Sequence, residues 1–92
     1  MKRVSYNIKG QVQGVGFRPF VYKIAQELNL VGFVKNNESG VEIEVEGSKE
    51  NLDMFEASLS SKLPPLARID TISIKEIKPL QEKNINDDIY GS

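Results

Sequence analysis

The sequence predicts one α+β domain in which two helices cover one face of an antiparallel sheet. Segments that alternate polar and apolar residues, as half-buried strands do, are interleaved with two segments whose apolar residues recur every three or four positions, as in helices. At 92 residues, the chain is also shorter than a typical domain of about 150 residues. We therefore expect a single domain spanning residues 1–92.

The first half of the chain begins with a strand at residues 3–9, where Val4, Tyr6 and Ile8 alternate with polar residues. A loop punctuated by glycines follows, and Pro19 is placed where the first turn of a helix tolerates a missing N–H. We expect this helix to continue to about Asn29. Its apolar stripe consists of Phe17, Phe20, Val21, Ile24, Ala25 and Leu28.

Residues 31–37 and 41–46 predict two more strands, and the short turn at residues 37–40 makes them an antiparallel hairpin. Alternation places Val41, Ile43 and Val45 on one face of the third strand. The opposite face carries Glu42, Glu44 and Glu46. We expect these glutamates to form a solvated outer face of the sheet rather than a metal or acid–base site.

The second half of the chain predicts a helix that begins after Ser48 as its N-cap and ends at Pro64. Its apolar positions are Leu52, Phe55, Leu59 and Leu63. A fourth strand is expected at residues 69–77, and residues 80–92 should be loosely ordered or add an edge strand, for which Ile89–Tyr90 is the candidate. This strand–helix–strand–strand–helix–strand order is the ferredoxin-like βαββαβ arrangement, which by itself indicates no particular chemistry.

The composition excludes several classes of function. The chain has no histidine and no cysteine, which excludes a cysteine nucleophile, a Ser-His-Asp triad, a thiolate or imidazole zinc site and a disulfide framework. A net charge of −1 argues against nucleic-acid binding, which usually needs a basic surface. No signal peptide or apolar stretch of about 20 residues is present, so we expect a cytoplasmic protein without a membrane segment. We also expect no metal or cofactor.

The loop before the first helix is the best candidate for a site. Its glycines, at positions 10, 14 and 16, would let backbone N–H groups converge at a helix N-terminus, and Arg18 would add a guanidinium that can bind two phosphate oxygens. The alternatives are a simple turn and a surface ion pair at Arg18. Pro19 replaces the third glycine of the dinucleotide fingerprint, and the Gly-Lys-Ser/Thr of a Walker motif is missing, so a nucleotide is not indicated.

The same residues carry a family resemblance. Residues 8–18, IKGQVQGVGFR, resemble the first signature of acylphosphatases, and residues 32–36, GFVKN, followed by Gly40 resemble the start of the second. The resemblance implies metal-independent hydrolysis of acyl phosphates, with Arg18 and Asn36 as catalytic residues. It assigns phosphate binding to Gln13, Gly14, Val15, Gly16, Phe17 and Arg18, and positioning of the attacking water to Asn36. Without the resemblance, Asn36 is more simply explained as a turn residue.

A second resemblance concerns residues 17–22, FRPFVY, and 64–69, PPLARI, which are similar to the N-terminal acylphosphatase-like domain of hydrogenase-maturation carbamoyltransferases. It implies carbamoyl phosphate as the substrate, inorganic phosphate as product and inhibitor, and the further domains of a larger maturation factor as partners. The alternative is a module that binds carbamoyl phosphate or another anion for neighbouring domains without hydrolysing it.

Overall fold

A computed structural model describes residues 1–80 and 85–86. Its elements are β1 (Lys2–Gln11), α1 (Phe17–Glu27), β2 (Val31–Asn37), β3 (Gly40–Gly47), α2 (Lys49–Ser61), β4 (Arg68–Ile77) and β5 (Ile85–Asn86). The predicted order of four strands and two helices is confirmed. The bounds of the strands agree with the prediction within about two residues, α1 begins and ends about two residues earlier than predicted, and α2 ends at Ser61 rather than at Pro64.

Helix α1 begins before the predicted proline and ends before the predicted asparagine. Pro19 occupies the third helical position, where its missing N–H removes no intrahelical hydrogen bond. At the other end Asn29 adopts a left-handed conformation with φ 55°, and the N–H of Leu30 donates to the carbonyl of Ala25 at 2.9 Å. This left-handed C-terminal cap ends the helix at Glu27.

The strands form one sheet in the order β4-β1-β3-β2-β5. The pairs β1–β3, β1–β4 and β2–β3 are antiparallel, whereas β5 pairs with β2 in parallel. The predicted antiparallel sheet is confirmed and gains this short parallel strand, while Ile89–Tyr90 lies outside the described residues. Because β1 and β2 are both antiparallel to β3, they run in the same direction and end at the same end of the sheet.

The core lies between this sheet and the two helices. The inner sheet face contributes Tyr6, Ile8, Val34, Val41, Ile43 and Val45, and the helices contribute Phe17, Val21, Ile24, Ala25, Leu52, Phe55 and Leu59. The predicted N-cap of α2 is confirmed, because the hydroxyl of Ser48 accepts from the N–H of Asn51 at 3.2 Å. Neither helix in the described part of the chain is long and apolar enough to cross a membrane.

The prediction that the glutamates of β3 form a solvated outer face is wrong in part. Glu46 is only 1% exposed, and Arg3 on the neighbouring strand β1 is fully buried beside it. The guanidinium donates to Glu44 at 2.9 Å and to Glu46 at 3.3 Å. Residues 78–80 lead from β4 onto this face, where the N–H of Leu80 donates to Glu46 at 2.7 Å. The carboxylate of Glu46 is therefore covered by residues 78–80 and accepts hydrogen bonds from Arg3 and Leu80.

A groove of about 350 Å³ lies between α2 and β4. Its lining residues are Glu56, Leu59, Ser60, Ile69, Ile72 and Ile74. Ile72 and Ile74 point to the helix-covered face but remain 40% and 51% exposed, because β4 is the outermost strand on this side of the described sheet. The inner face of the sheet is therefore incompletely covered at β4.

Candidate active site

The glycine loop that connects β1 to α1 is anchored at both ends. Val12 and Phe17 are buried in the core, and residues 13–16 span the distance between them at the end of the sheet where β1 and β2 both terminate. The predicted phosphate-binding segment is therefore a short, exposed loop held by two apolar side chains.

Left-handed backbone at two glycines shapes this loop. Gly14 has φ 72° and Gly16 has φ 78°, a conformation that residues with a side chain rarely adopt. A Cβ built at either position would meet no atom of the described residues within 4 Å. The glycines are thus required for the path of the backbone rather than for close packing, and the surface above them is open to a ligand.

The N-terminus of α1 opens onto the same loop. Gly16 is its N-cap, so the cap has no side chain that could accept from the first-turn N–H groups, and the first turn contains no acidic residue. These N–H groups have no acceptor within the helix, and the helix dipole places partial positive charge there. Arg18, half-buried, is the second residue of the helix. The arrangement favours an anion.

Asn36 lies on the strand, not in the turn. It pairs with Val41 of β3 in the penultimate position of β2, so its exposed side chain belongs to the helix-covered face of the sheet. The turn role belongs to Asn37, whose Oδ1 accepts from the N–H groups of Ser39 at 2.9 Å and Gly40 at 2.8 Å. The alternative explanation of Asn36 as a turn residue is therefore not needed.

Gln13 connects the loop to this hairpin. Its Nε2 donates to the carbonyl of Asn37 at 3.0 Å and to the carbonyl of Gly40 at 2.9 Å. Sequence reasoning placed Gln13 among the phosphate-binding residues and missed this contact, because the spacing of residues 13 and 37–40 gives no local signal. Only the parallel course of β1 and β2 brings the two segments together.

One shifted pKa lies in the core, and another lies at the end of β4 that pairs with the last residues of β1. Burial raises the pKa of Tyr6 above its ordinary value, and its hydrogen bond to Glu56 on α2 adds to the effect. Arg68 lowers the pKa of Asp70 through a hydrogen bond at the surface of β4. Among residues 1–80 and 85–86, no three acidic side chains lie close enough together to hold a metal ion.

Comparison with known proteins places these features in a family. The sequence profile of the family described as Acylphosphatase matches residues 4–87. The probable carbamoyltransferase HypF of Methanocaldococcus jannaschii is 52% identical over 88 residues, which are 96% of this chain and 11% of that protein. The chain spans about a tenth of the length of the curated carbamoyltransferases it matches.

Solved structures give the same result at the level of the fold. A full-length HypF in its phosphate- and nucleotide-bound form matches with a TM-score of 0.91 and 43% identity, over 94% of this chain and 11% of that one. The acylphosphatase of Bacillus subtilis matches with a TM-score of 0.85 and 34% identity, over 95% of this chain and 97% of that one. The chain therefore belongs to the acylphosphatase family and is similar, over nearly its whole length, both to a free-standing acylphosphatase and to one domain-sized segment of HypF.

Proposed function

We propose that this domain hydrolyses the carboxyl–phosphate bond of acyl phosphates and releases a carboxylate and inorganic phosphate. One observation carries the proposal: the glycine loop, the open N-terminus of α1 and Asn36 lie at the same end of the sheet. The loop and helix offer donors for a phosphoryl group, and Asn36 offers a carboxamide beside it.

The substrate class suits a site without histidine. An acyl phosphate is an activated mixed anhydride, so its hydrolysis depends on charge stabilisation and on a positioned water more than on a strong base. In this proposal the loop N–H groups, from Gln13 to Phe17, and Arg18 bind the phosphoryl oxygens. Because these donors are fixed by the fold before the substrate arrives, they stabilise the charge that shifts in the transition state.

The reaction transfers the phosphoryl group to water. The water oxygen forms a bond to phosphorus, the bond from phosphorus to the carboxyl oxygen breaks, and its electron pair leaves with the carboxylate. Asn36 accepts from and donates to the water and so fixes its line of attack, but a carboxamide cannot take up the proton. In this proposal the proton passes to an oxygen of the substrate's own phosphate or carboxylate.

We propose carbamoyl phosphate as the acyl phosphate, with the further domains of a larger maturation factor as partners. Support comes from the relatives named carbamoyltransferase, which reach 52% identity to this chain. The same relatives favour a second candidate, a module that holds carbamoyl phosphate for neighbouring domains without hydrolysing it. The cytoplasmic location stays a prediction.

Replacement of Arg18 by Ala tests the phosphate-binding role. We expect turnover of acetyl phosphate and carbamoyl phosphate to fall by at least the roughly 10²–10³-fold typical of losing one preorganised donor. Inhibition by inorganic phosphate should be lost as well. The measurement is phosphate release by the purified domain, and equal rates for the variant and the wild type would refute the assignment.

Replacement of Asn36 by Ala tests the water-positioning role. We expect turnover to fall while the inhibition constant of inorganic phosphate stays nearly unchanged, because the partner of Asn36 is water and not the phosphoryl group. A parallel loss of turnover and phosphate inhibition would instead make Asn36 a phosphate ligand.

The wild-type domain separates the two candidate functions. A hydrolase releases phosphate catalytically from carbamoyl phosphate. A non-hydrolytic module is protected against thermal unfolding by phosphate or carbamoyl phosphate in a saturable manner, but releases no phosphate above the uncatalysed rate.

A further inference from the structure

We infer that Gln13 is a positioning residue, which fixes the distance and angle between Asn36 and the phosphate-binding loop. The inference rests on the proposed hydrolysis and concerns the side chain of Gln13, whereas the family resemblance assigns this position to phosphate binding. The geometric basis is the pair of hydrogen bonds that joins the loop to the β2–β3 hairpin.

The two acceptors close the hairpin that carries Asn36. Asn37 and Gly40 face each other as the last residue pair between β2 and β3, and the carboxamide of Gln13 donates to the carbonyls of both. Asn37 follows Asn36 directly in the chain. A side chain that holds this pair of carbonyls therefore holds the backbone immediately beside the proposed water-positioning group.

The hairpin end has more hydrogen-bond support than the loop. Its turn is closed by the side chain of Asn37, which accepts from two backbone N–H groups, and Asn36 pairs with fully buried Val41. The loop has less support, because Gly14 follows Gln13 immediately and its left-handed backbone is open on the outside. The contact therefore sets where the loop lies relative to Asn36, while buried Val12 and Phe17 hold the two ends of the loop itself.

The chemistry of the contact requires a carboxamide. Nε2 carries two hydrogens, so it can donate to both carbonyls at once, whereas an ionised glutamate of nearly the same shape has no donor and would face two carbonyl oxygens. Gln13→Glu should therefore lower kcat as Gln13→Ala does. Because its charge lies in the phosphate-binding loop, it should in addition raise the inhibition constant of inorganic phosphate.

A double-mutant cycle between Gln13 and Asn36 tests the inference. We expect Gln13→Ala to lower kcat by about 10- to 100-fold, because a misplacement of about 1 Å can reduce the rate by that much. KM and the inhibition constant of inorganic phosphate should change by less than about threefold, since the loop donors remain. In an Asn36→Ala background, Gln13→Ala should lower kcat no further.

The matched control is Gln11→Ala, which removes an exposed glutamine at the end of β1 and should keep the kcat of the wild type. Thermal unfolding of each variant establishes that it is folded. Additive losses in the double variant, or a rise in the phosphate inhibition constant as large as the fall in kcat, would overturn the inference and make Gln13 a general support of the loop. A wild-type domain that releases no phosphate would refute the hydrolysis itself.

A second measurement does not depend on turnover. With inorganic phosphate as the probe, saturation should shift the backbone amide resonances of Ser39 and Gly40 in the wild type, because the loop and the hairpin are joined. In Gln13→Ala only the loop amides should shift. Equal shifts of the hairpin amides in both proteins would contradict the connection through Gln13, whereas an absence of shifts anywhere in the wild type would contradict phosphate binding.

Discussion

Two adjacent asparagines at the end of β2 lie on opposite faces of the sheet because the side chains of a strand alternate. Asn37 lies at the hairpin closure and binds two backbone N–H groups with its side chain, which leaves Asn36 on the inner face beside the glycine loop. The residue type alone could not distinguish them, since asparagine is common in turns. The register with Val41 and Gly40 makes the distinction.

Tyr6 is the buried titratable residue for which the structure predicts a pH effect. Its ring packs against Phe55 with centroids 5.6 Å apart, and its hydroxyl donates to Glu56 at 2.9 Å. Burial, together with Glu56, raises its pKa in the folded protein. The unfolded chain releases this proton above about pH 10, whereas the folded protein retains it. The contribution of Tyr6 to the free energy of unfolding is therefore fully present below that pH and decreases as the pH rises further.

We expect Tyr6→Phe to change the alkaline limb of the stability curve. At pH 8 the variant should lose about 0.5–1.5 kcal/mol of unfolding free energy with its hydrogen bond. Above pH 10 its stability should decline less steeply than that of the wild type, by up to about 1.4 kcal/mol per pH unit. Urea unfolding at pH 8 and pH 11 measures both effects, and parallel declines would show that Tyr6 does not titrate differently in the two states.

At the scale of the elements, β1 and β3 are joined by charges as well as by backbone hydrogen bonds. Arg3 and Glu46 face each other in the register of these strands, and Glu46 also accepts from the N–H of Leu80. Removing one member of a buried pair leaves the other charge without water, which is costlier than losing the attraction alone. The cluster therefore links the two central strands to the segment that follows β4.

Replacement of Arg3 by Ala should consequently destabilise the protein by about 3–5 kcal/mol. The control is Lys2→Ala, since Lys2 and Glu76 are both about half exposed and 4.0 Å apart, and such a pair contributes about 0–1 kcal/mol. Urea unfolding of the two variants gives the comparison. If both lose less than about 1 kcal/mol, solvent reaches the cluster and the carboxylate is not confined as described.

Alternation in the sequence predicted the elements well because each strand and helix shows its periodicity locally. The same alternation correctly predicted that Glu46 lies on the outer face, but it wrongly predicted that Glu46 is solvated. The pattern of β3 cannot indicate that residues 78–80 cross that face and cover the carboxylate. The contact of Gln13 with the hairpin was missed for a similar reason. Both depend on segments that are distant in sequence and meet only in the folded chain.

At the scale of the whole molecule, the inner face of the sheet is covered unevenly. Ile43 on β3 is fully buried, whereas Ile74 on β4 remains 51% exposed. The family resemblance was needed to assign chemistry to this fold, because the ferredoxin-like arrangement serves many functions.

One substitution at two positions measures this asymmetry. Ile43→Ala should lower the unfolding free energy by about 2–5 kcal/mol, because it creates a cavity in a closed core. Ile74→Ala should cost about 1 kcal/mol or less, since much of its apolar surface is already in water. Urea unfolding at two protein concentrations is the measurement. Equal losses would mean that the groove between α2 and β4 is covered in solution.

The position of β3 between β1 and β2 has a consequence for how the site comes into existence. Each half of the candidate site is local, one a loop after β1 and the other the end of β2, but the two parallel strands have no backbone hydrogen bonds to each other and are joined in the sheet by β3, which lies between them. The two halves are therefore placed against each other only when β3 has paired with both strands. That pairing closes the intervening chain into a loop, with the entropy loss that such closure entails.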